Sequence, residues 1–574
     1  MENFDYGLSL EELKKRTDKE YLTDKKMLTP DSIEYLELQE GDKKALSHLV
    51  KAAYYIEKIN KVLDNRKNLP FEKWLEAEIE KGDERAKLTK ILYDAQKGIC
   101  AIDTESHKFS LAKGINELPQ KGLYPEDLTI EKFHQILIKM LKEGKIDEVK
   151  TILNQRSVVE WDNYELKGID YIDYFREDFE NAANELFEAC KVSTNKDFDH
   201  YLLLQAQALV IPNPMYDAYA DKKWAELQDT PLEFTITREN YEDEMTETVV
   251  ENPELRALLE KYEITPTSKD FLGGRVGIVN KKGTEALLKI KEFLPTLASN
   301  MPFNDKYEQN IAPDKETKQT MVDVDLVAVY GDVGAFRGGI TLAENLPNND
   351  KMTFKIGGGR RNVYHRQIRV SDPVKLQKRL DAILDKSQHE FYLDEADHWF
   401  TIGHENAHSL GPNKGTEALG KYTSIIEENK ADMGSLAFVD LLVELGYYTE
   451  LQRRQVIVTF VADNFLKSKP EMSQAHRVRS VMQNYFLHKE GAYILDEDNK
   501  IHVNIDKVVP AAKKMLETII QVQMSGDFSV GEKYVLDNFV WTDEMEIISK
   551  KLKEINKTLN GRVISTLADK LLNE

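Results

Sequence analysis

Five short strand-like runs between residues 232 and 370 restrict the fold of this chain more than any other feature. They are LEFTITR (232–238), RVGIVN (275–280), DLVAVYG (325–331), GGITLAEN (338–345) and NVYHRQIRV (362–370). Each run is β-branched or alternates apolar and polar residues, and Gly, Pro or Asn bounds it, which is typical of strands. This group predicts a five-stranded sheet or a small β-barrel.

Helical patterns flank the strands on both sides. Before them, segments such as KALSHLVKAAYYIEKINKVL carry apolar residues at three- and four-residue spacing, with charges between. The same spacing returns from residue 371 and continues to about residue 560. The fold class that this order of elements predicts is α+β.

We expect two lobes separated by a cleft. A mixed lobe would contain residues 1–280, with strands 320–370 and the C-terminal helix returning to it. The second lobe, residues 281–545, would be mainly helical and would carry the functional motifs described next.

Composition excludes several classes of function. The formal charge of −22 is opposite in sign to that of a nucleic-acid-binding surface, which needs clustered Lys and Arg. Two cysteines in 574 residues provide neither a disulfide framework nor a thiolate metal site. No apolar run approaches the roughly 20 residues of a membrane span, and the first residues lack the pattern of a signal peptide. We therefore expect a cytoplasmic protein with neither nucleic acid nor membrane as partner; its oligomeric state stays open.

The segment His404-Glu405-Asn406-Ala407-His408 has the H-E-x-x-H pattern and lies in a stretch without proline. In a helix, His404 and His408 share one face about one turn apart, so both imidazoles can reach one zinc ion. Glu405 would then lie beside the metal, where it can take a proton from water. A chain of this composition would contain such a pattern about 0.04 times by chance.

A second motif, IIEENKADMG at 425–434, could supply the third ligand that such a site needs. Glu428 and Asp432 are four residues apart and share one helical face. One carboxylate could bind the metal while the other accepts the second ring N–H of a ligand histidine. Glu427 points about 100° away and is the weaker candidate. A solvated acidic face is the ordinary interpretation of EENKAD alone, but both motifs together predict one Zn²⁺ per chain.

Together these motifs resemble those of the dipeptidyl peptidase III family of zinc exopeptidases. Further segments agree: SQAHRVRSVMQNYFL (473–487) is similar to the family's Q-A-H helix, ENLPNND (344–350) to its N-x-P-N segment and RENYEDE (238–244) to its E-x-Y-E segment. Better-known members carry the longer H-E-x-x-G-H. The chain therefore resembles the divergent branch with the shorter motif, which includes the peptidase-like part of some Nudix-fused proteins.

The resemblance implies a role for each matching residue. His404, His408 and Glu428 would bind zinc. Asp432 would lie next to these ligands without contacting the metal. Glu405 would act as the general base in catalysis. His476 and Tyr241 would donate hydrogen bonds to the oxyanion. Three would hold the free amino end of a peptide substrate: Glu239, Asn345 and Asn348. The implied activity is release of dipeptides from the N-terminus of peptides.

Three functions stay open on the sequence. The first is a zinc dipeptidyl aminopeptidase. The second is a zinc endopeptidase, or an aminopeptidase with a different cleavage length. The third is a non-hydrolytic peptide-binding protein that retains the fold. The intact Glu405 argues against the third, because a binding protein has no need of a general base.

Overall fold

The computed structural model describes residues 2–105, 107–239, 243–309, 320–331, 343–346, 353, 355–359, 361–366, 373–472 and 474–574. For residues 239, 286, 344–346 and 417 it describes the backbone alone.

A five-stranded sheet forms in the part of the chain where strands are predicted. In spatial order its strands are Leu232–Glu239, Phe271–Val279, Thr320–Tyr330, Arg361–His365 and Ala343–Leu346. All neighbours pair antiparallel except the third and fourth strands, which are parallel. Among the described residues the two outer strands do not pair with each other, so the described strands form an open five-stranded sheet.

Helices make up most of the remaining chain. Before the sheet they are Leu10–Thr17, Ile33–Leu36, Glu40–Asp64, Asn68–Glu80, Glu84–Gln96, Ile130–Lys142, Ile146–Ile152, Tyr171–Tyr174, Arg176–Val192, Lys196–Val210 and Pro214–Glu226. Between its strands are Glu244–Glu247, Pro253–Lys261 and Lys281–Ser299. After it are Pro373–Ile383, Asp394–Ala407, Thr423–Ala437, Val439–Glu444, Glu450–Asp463, Ala475–Lys489, Ile505–Ser525, Phe528–Asn538, Asp543–Ile555 and Thr566–Leu572. The α+β class is confirmed, with a mostly helical body.

Short strands that the sequence patterns did not predict tie distant segments together. Leu22–Lys26 pairs in parallel with Asn560–Ile564, which joins the two ends of the chain. Three hairpins are formed by Cys100–Ile102 with Lys108–Ser110, Ser157–Asp162 with Glu165–Asp170, and Tyr493–Leu495 with Ile501–Val503. Strands of three to six residues carry too little periodicity to be separated from loops by pattern.

The buried apolar residues form two large clusters. The first joins the helices before the sheet to the sheet itself and to the C-terminal helix, through Leu567 and Leu571. The second joins the helices that follow the sheet to the helix Lys281–Ser299 and to one side of the sheet, through Met321 and Tyr364. Strand Arg361–His365 contributes Val363 to the first cluster and Tyr364 to the second, because successive side chains of a strand point to opposite faces. The sheet therefore lies where the two clusters meet. Two lobes with a cleft between them stay a prediction.

Two further observations concern the environment of the protein. None of the helices in the described ranges is long and apolar enough to cross a bilayer. Cys100 and Cys190 are both free cysteines. The cytoplasmic location stays a prediction.

Candidate metal centre

The H-E-x-x-H segment lies at the end of a 14-residue helix, Asp394–Ala407, which we call the motif helix. Three carboxylates occupy its first turn, where they interact favourably with the positive end of the helix dipole. His408 caps the opposite end, and its N–H donates to the His404 carbonyl at 3.3 Å. The two imidazoles therefore lie one turn apart, with ring centroids separated by 4.8 Å.

The second motif lies on the helix Thr423–Ala437, which we call the carboxylate helix. Small residues let it approach the motif helix closely. A Cβ atom on Gly403 would lie 2.3 Å from Oγ and 3.1 Å from Cβ of Ser435. That hydroxyl donates to the Phe400 carbonyl at 2.8 Å. The lack of a side chain at Gly403 is thus what allows the histidines to reach the carboxylates.

Gly403→Ala is expected to destabilise this helix contact. The new methyl would displace the Ser435 hydroxyl, and overpacking of this kind costs about 1–3 kcal/mol, partly offset by the better helix propensity of Ala, worth about 1 kcal/mol. Chemical denaturation of the metal-free chain measures the loss. Adding Ser435→Gly should restore most of it, because the methyl then has room. A double variant no more stable than Gly403→Ala would contradict this account.

His404, His408 and Glu428 bring one ligand atom each within 4.8 Å of one another. The two Nε2 atoms are 3.2 Å apart, and Glu428 Oε2 lies 3.4 Å from Nε2 of His404. Nε2 of His408 lies 3.9 Å from Glu428 Oε1. Tetrahedral zinc with bonds of about 2.0–2.1 Å separates its ligands by about 3.3–3.4 Å. These spacings fit a single small cation.

Each histidine is oriented by a different carboxylate. Nδ1 of His404 lies 2.7 Å from Asp432 Oδ1, and Nδ1 of His408 lies 2.9 Å from Glu427 Oε1. An ionised carboxylate only accepts hydrogen bonds, so in a neutral ring the proton is on Nδ1 and the lone pair on Nε2. Two lone pairs 3.2 Å apart repel each other, and a cation between them would remove that repulsion. The donor set therefore fits a metal ion.

The two rings differ in basicity. Burial, reinforced by the neighbouring His408, lowers the pKa of His404 to about 3, so this ring is neutral at neutral pH. Burial alone would also lower the pKa of His408. The hydrogen bond to Glu427 and the charges of Glu428 and Glu405 outweigh burial and raise that pKa above its usual value. Glu405 is thus one of the charges that raise the pKa of His408.

Lys430 and Gln523 hold the Glu427 carboxylate in place. Lys430 is almost fully buried and lies 2.8 Å from Glu427 Oε1, while Gln523 donates to Oε2 at 2.9 Å. Burial would raise the pKa of Glu427, but Lys430 and the bond from His408 lower it to about 2. Lys430 also donates to the Leu410 carbonyl at 2.7 Å, beyond the end of the motif helix. Glu427 is thus a fixed anion behind His408.

The charges around the three ligand atoms do not balance. Four carboxylates belong to the two motifs: Glu405, Glu427, Glu428 and Asp432. In the described contacts Lys430 pairs with Glu427, Arg479 with Asp432 and Glu428, and His476 also contacts Glu428. Metal binding needs neutral imidazoles. With both rings neutral, the four carboxylates, Lys430 and Arg479 carry an excess of two negative charges, which one divalent cation would neutralise.

The resemblance also assigns His476 to this centre, and the structure brings it there. It lies at the start of the helix Ala475–Lys489, which we call the His476 helix. Its Nδ1 is 3.1 Å from Glu428 Oε2, and 52% of its side chain stays exposed. The ring therefore contacts the third ligand on one side and solvent on the other. Its role in catalysis stays a prediction.

The remaining residues that the resemblance implies lie only partly within the described residues. Glu239 ends one outer strand of the sheet, with its backbone opposite Phe271. Asn345 lies on the other outer strand, with its backbone opposite Asn362. Tyr241 and Asn348 lie outside the described residues, as do the side chains of Glu239 and Asn345. The roles of these four residues stay predictions.

Several residues of the centre were not found by pattern. Glu427 is not one of the three clustered residues, and the sequence does not predict its contact with His408. Its partners and those of Asp432 were also missed: Lys430, Arg479, Gln483 and Gln523. The Glu427–Lys430 pair has a signal in the sequence, because the two residues are three apart on one helix. The others come from helices distant in sequence, and no spacing rule connects them.

Two solved structures named dipeptidyl peptidase III share this fold. The structure of the protein from Caldithrix abyssi superposes with a TM-score of 0.80 at 22% identity, covering 97% of this chain and 100% of that one. The structure from Corallococcus sp. strain EGB gives a TM-score of 0.75 at 19% identity, covering 100% and 99%. The fold and the site together define an α+β protein of the dipeptidyl peptidase III fold with a possible metal-binding site. The resemblance seen in the motifs is thus confirmed at the level of the fold.

A curated relative links the chain to a longer protein. Nudix hydrolase 3 from Arabidopsis thaliana is 23% identical over 514 residues, which cover 84% of this chain. The chain spans 62% of the length of that relative. No protein-family model matches the chain.

Proposed function

We propose that this chain is a zinc-dependent exopeptidase that releases dipeptides from the free N-terminus of peptides. The observation that carries the proposal is the group His404, His408 and Glu428, with both rings oriented by carboxylates, in a chain with this fold. Zinc held there would polarise the scissile carbonyl and lower the pKa of a water molecule to about 7.

The protein's own residues would handle the protons and the developing charge. Glu405 follows a ligand histidine directly and is nearly buried, so its carboxylate could accept a proton from water and pass it to the leaving amine. His476 and Tyr241 would donate hydrogen bonds to the scissile carbonyl oxygen as it becomes an oxyanion. The exposed side of the His476 ring leaves room for a substrate.

Recognition of the free amino end would decide the cleavage length. An ammonium group needs acceptors, and Glu239, Asn345 and Asn348 supply one carboxylate and two amides. Glu239 and Asn345 lie on the two outer strands of one sheet, and a curl of that sheet would bring these strands together around one ammonium group. We propose that the peptide lies between two lobes at this sheet, and that their closure excludes water.

The proposal is tested with purified protein, a metal analysis and a matched pair of peptides. We expect about one zinc per chain and cleavage of an unblocked peptide after its second residue. The same peptide with an acetylated N-terminus should not be cleaved, because acetylation removes the charge that the acceptors bind. Mass spectrometry of the products gives the cleavage length.

Each alternative has its own outcome in this experiment. Cleavage of both peptides would indicate an endopeptidase and contradict dipeptide release. Release of a different length from the free peptide alone would indicate another aminopeptidase specificity. Stoichiometric zinc and peptide binding without any cleavage would indicate the non-hydrolytic binding protein. A wild-type chain that takes up no zinc would overturn the whole proposal.

A further inference from the structure

One face of the His476 helix carries three residues that contact the carboxylate helix. His476, Arg479 and Gln483 are three and four residues apart, so they share a face. His476 contacts Glu428, as described above. Arg479 forms an ion pair with Asp432, and its Nε lies 4.0 Å from Glu428 Oε2. Gln483 follows one turn later and donates to Asp432 Oδ2 at 2.9 Å.

The contacts divide the two oxygens of Asp432 between two partners. Oδ2 is held by Arg479 and Gln483, whereas Oδ1 lies 2.7 Å from Nδ1 of His404. Gln483 is itself fixed, because it also donates to Asn429 at 3.0 Å. A carboxylate anchored through one oxygen has a defined orientation for the other. The position of the His404 ring therefore depends on a second helix.

Because the Asp432 carboxylate is buried, it needs a positively charged partner. The Asp432 side chain is fully buried, and an isolated carboxylate in such a place costs several kcal/mol. Gln483 and His404 are neutral donors and do not balance a charge. Arg479 does so, because its guanidinium stays charged and its fork can extend toward two carboxylates, those of Asp432 and Glu428.

We propose that Arg479 is a positioning residue of the metal centre. It anchors Asp432 so that the His404 ring presents Nε2 to the metal, and it places a positive charge beside Glu428. Arg479 thereby sets how tightly the metal is held without touching it. The inference rests on the zinc site proposed above, and it adds a residue that neither motif contains.

The test measures zinc affinity rather than activity. In chelator competition, Arg479→Met is expected to weaken zinc binding about 10–100-fold, the usual effect of removing a group behind a ligand. Arg479→Lys, which keeps the charge but not the fork, should recover part of that loss. Arg477→Met is the matched control. Arg477 is two residues away on the same helix and contacts Gln474 and Ser468 instead, so zinc affinity should be unchanged.

A double variant separates positioning from general loss of structure. In an Asp432→Asn background the carboxylate that Arg479 anchors is gone, and only its positive charge near Glu428 is left to remove. That charge opposes a bound cation, so Arg479→Met should no longer weaken zinc binding there. An equal loss in both backgrounds would overturn the inference, as would an Arg479→Met protein with wild-type affinity. Failure of the wild type to bind zinc would instead overturn the proposed function, so the two failures are distinguishable.

Discussion

Glu405→Gln is expected to lower kcat on an unblocked peptide about 10²–10⁴-fold, the usual contribution of a general base. The amide is nearly the size of the carboxylate but cannot accept the proton. Glu405 is not one of the three clustered ligands, so zinc content should stay at about one per chain. Metal analysis and steady-state kinetics on the same protein sample measure both quantities.

The control for this variant lies on the same helix. Glu395→Gln removes an exposed carboxylate from the first turn of the motif helix, three turns from the metal ligands. It should leave kcat and zinc content unchanged. A Glu405→Gln protein with wild-type kcat would remove Glu405 from the reaction, whatever its metal content. A loss of zinc in that variant would show that Glu405 supports the ligands.

The sequence predicted the fold and the ligand cluster for different physical reasons. The strands were found because β-branched runs bounded by Gly and Asn have a period that helices lack. The group His404, His408 and Glu428 can be predicted because the four-residue spacing within each motif fixes a shared helical face. Both are local signals. In the structure His404 lies next to His408, and Glu428 and Asp432 both contact the His404 ring.

Contacts between helices could not be predicted in the same way. Asp432 meets Arg479 and Gln483 across 47 and 51 residues of sequence. Ser435 packs against Gly403 and leaves no room for a side chain there. This contact exists only once both helices have packed together. Such pairs follow from how helices pack, and packing is set by whole surfaces rather than by single spacings.

His476→Ala is expected to lower kcat about 10²–10³-fold, the cost of losing one oxyanion donor. His476 also contacts Glu428 at 3.1 Å, so two roles must be separated. If the ring acts on the substrate, zinc affinity and KM should change little while kcat falls. If the ring only orients Glu428, zinc affinity should fall and excess zinc should restore kcat. Chelator competition and zinc-supplemented kinetics distinguish these outcomes.

A matched histidine on the same helix provides the control. His488 lies 12 residues beyond His476, with Nδ1 3.8 Å from Glu544, a residue that contacts no metal ligand in the described contacts. His488→Ala should therefore leave both kcat and zinc affinity unchanged. His476→Gln, which keeps an N–H donor, should retain more kcat than His476→Ala if the ring donates to the oxyanion. Equal loss in both variants would show that donation is not what the ring supplies.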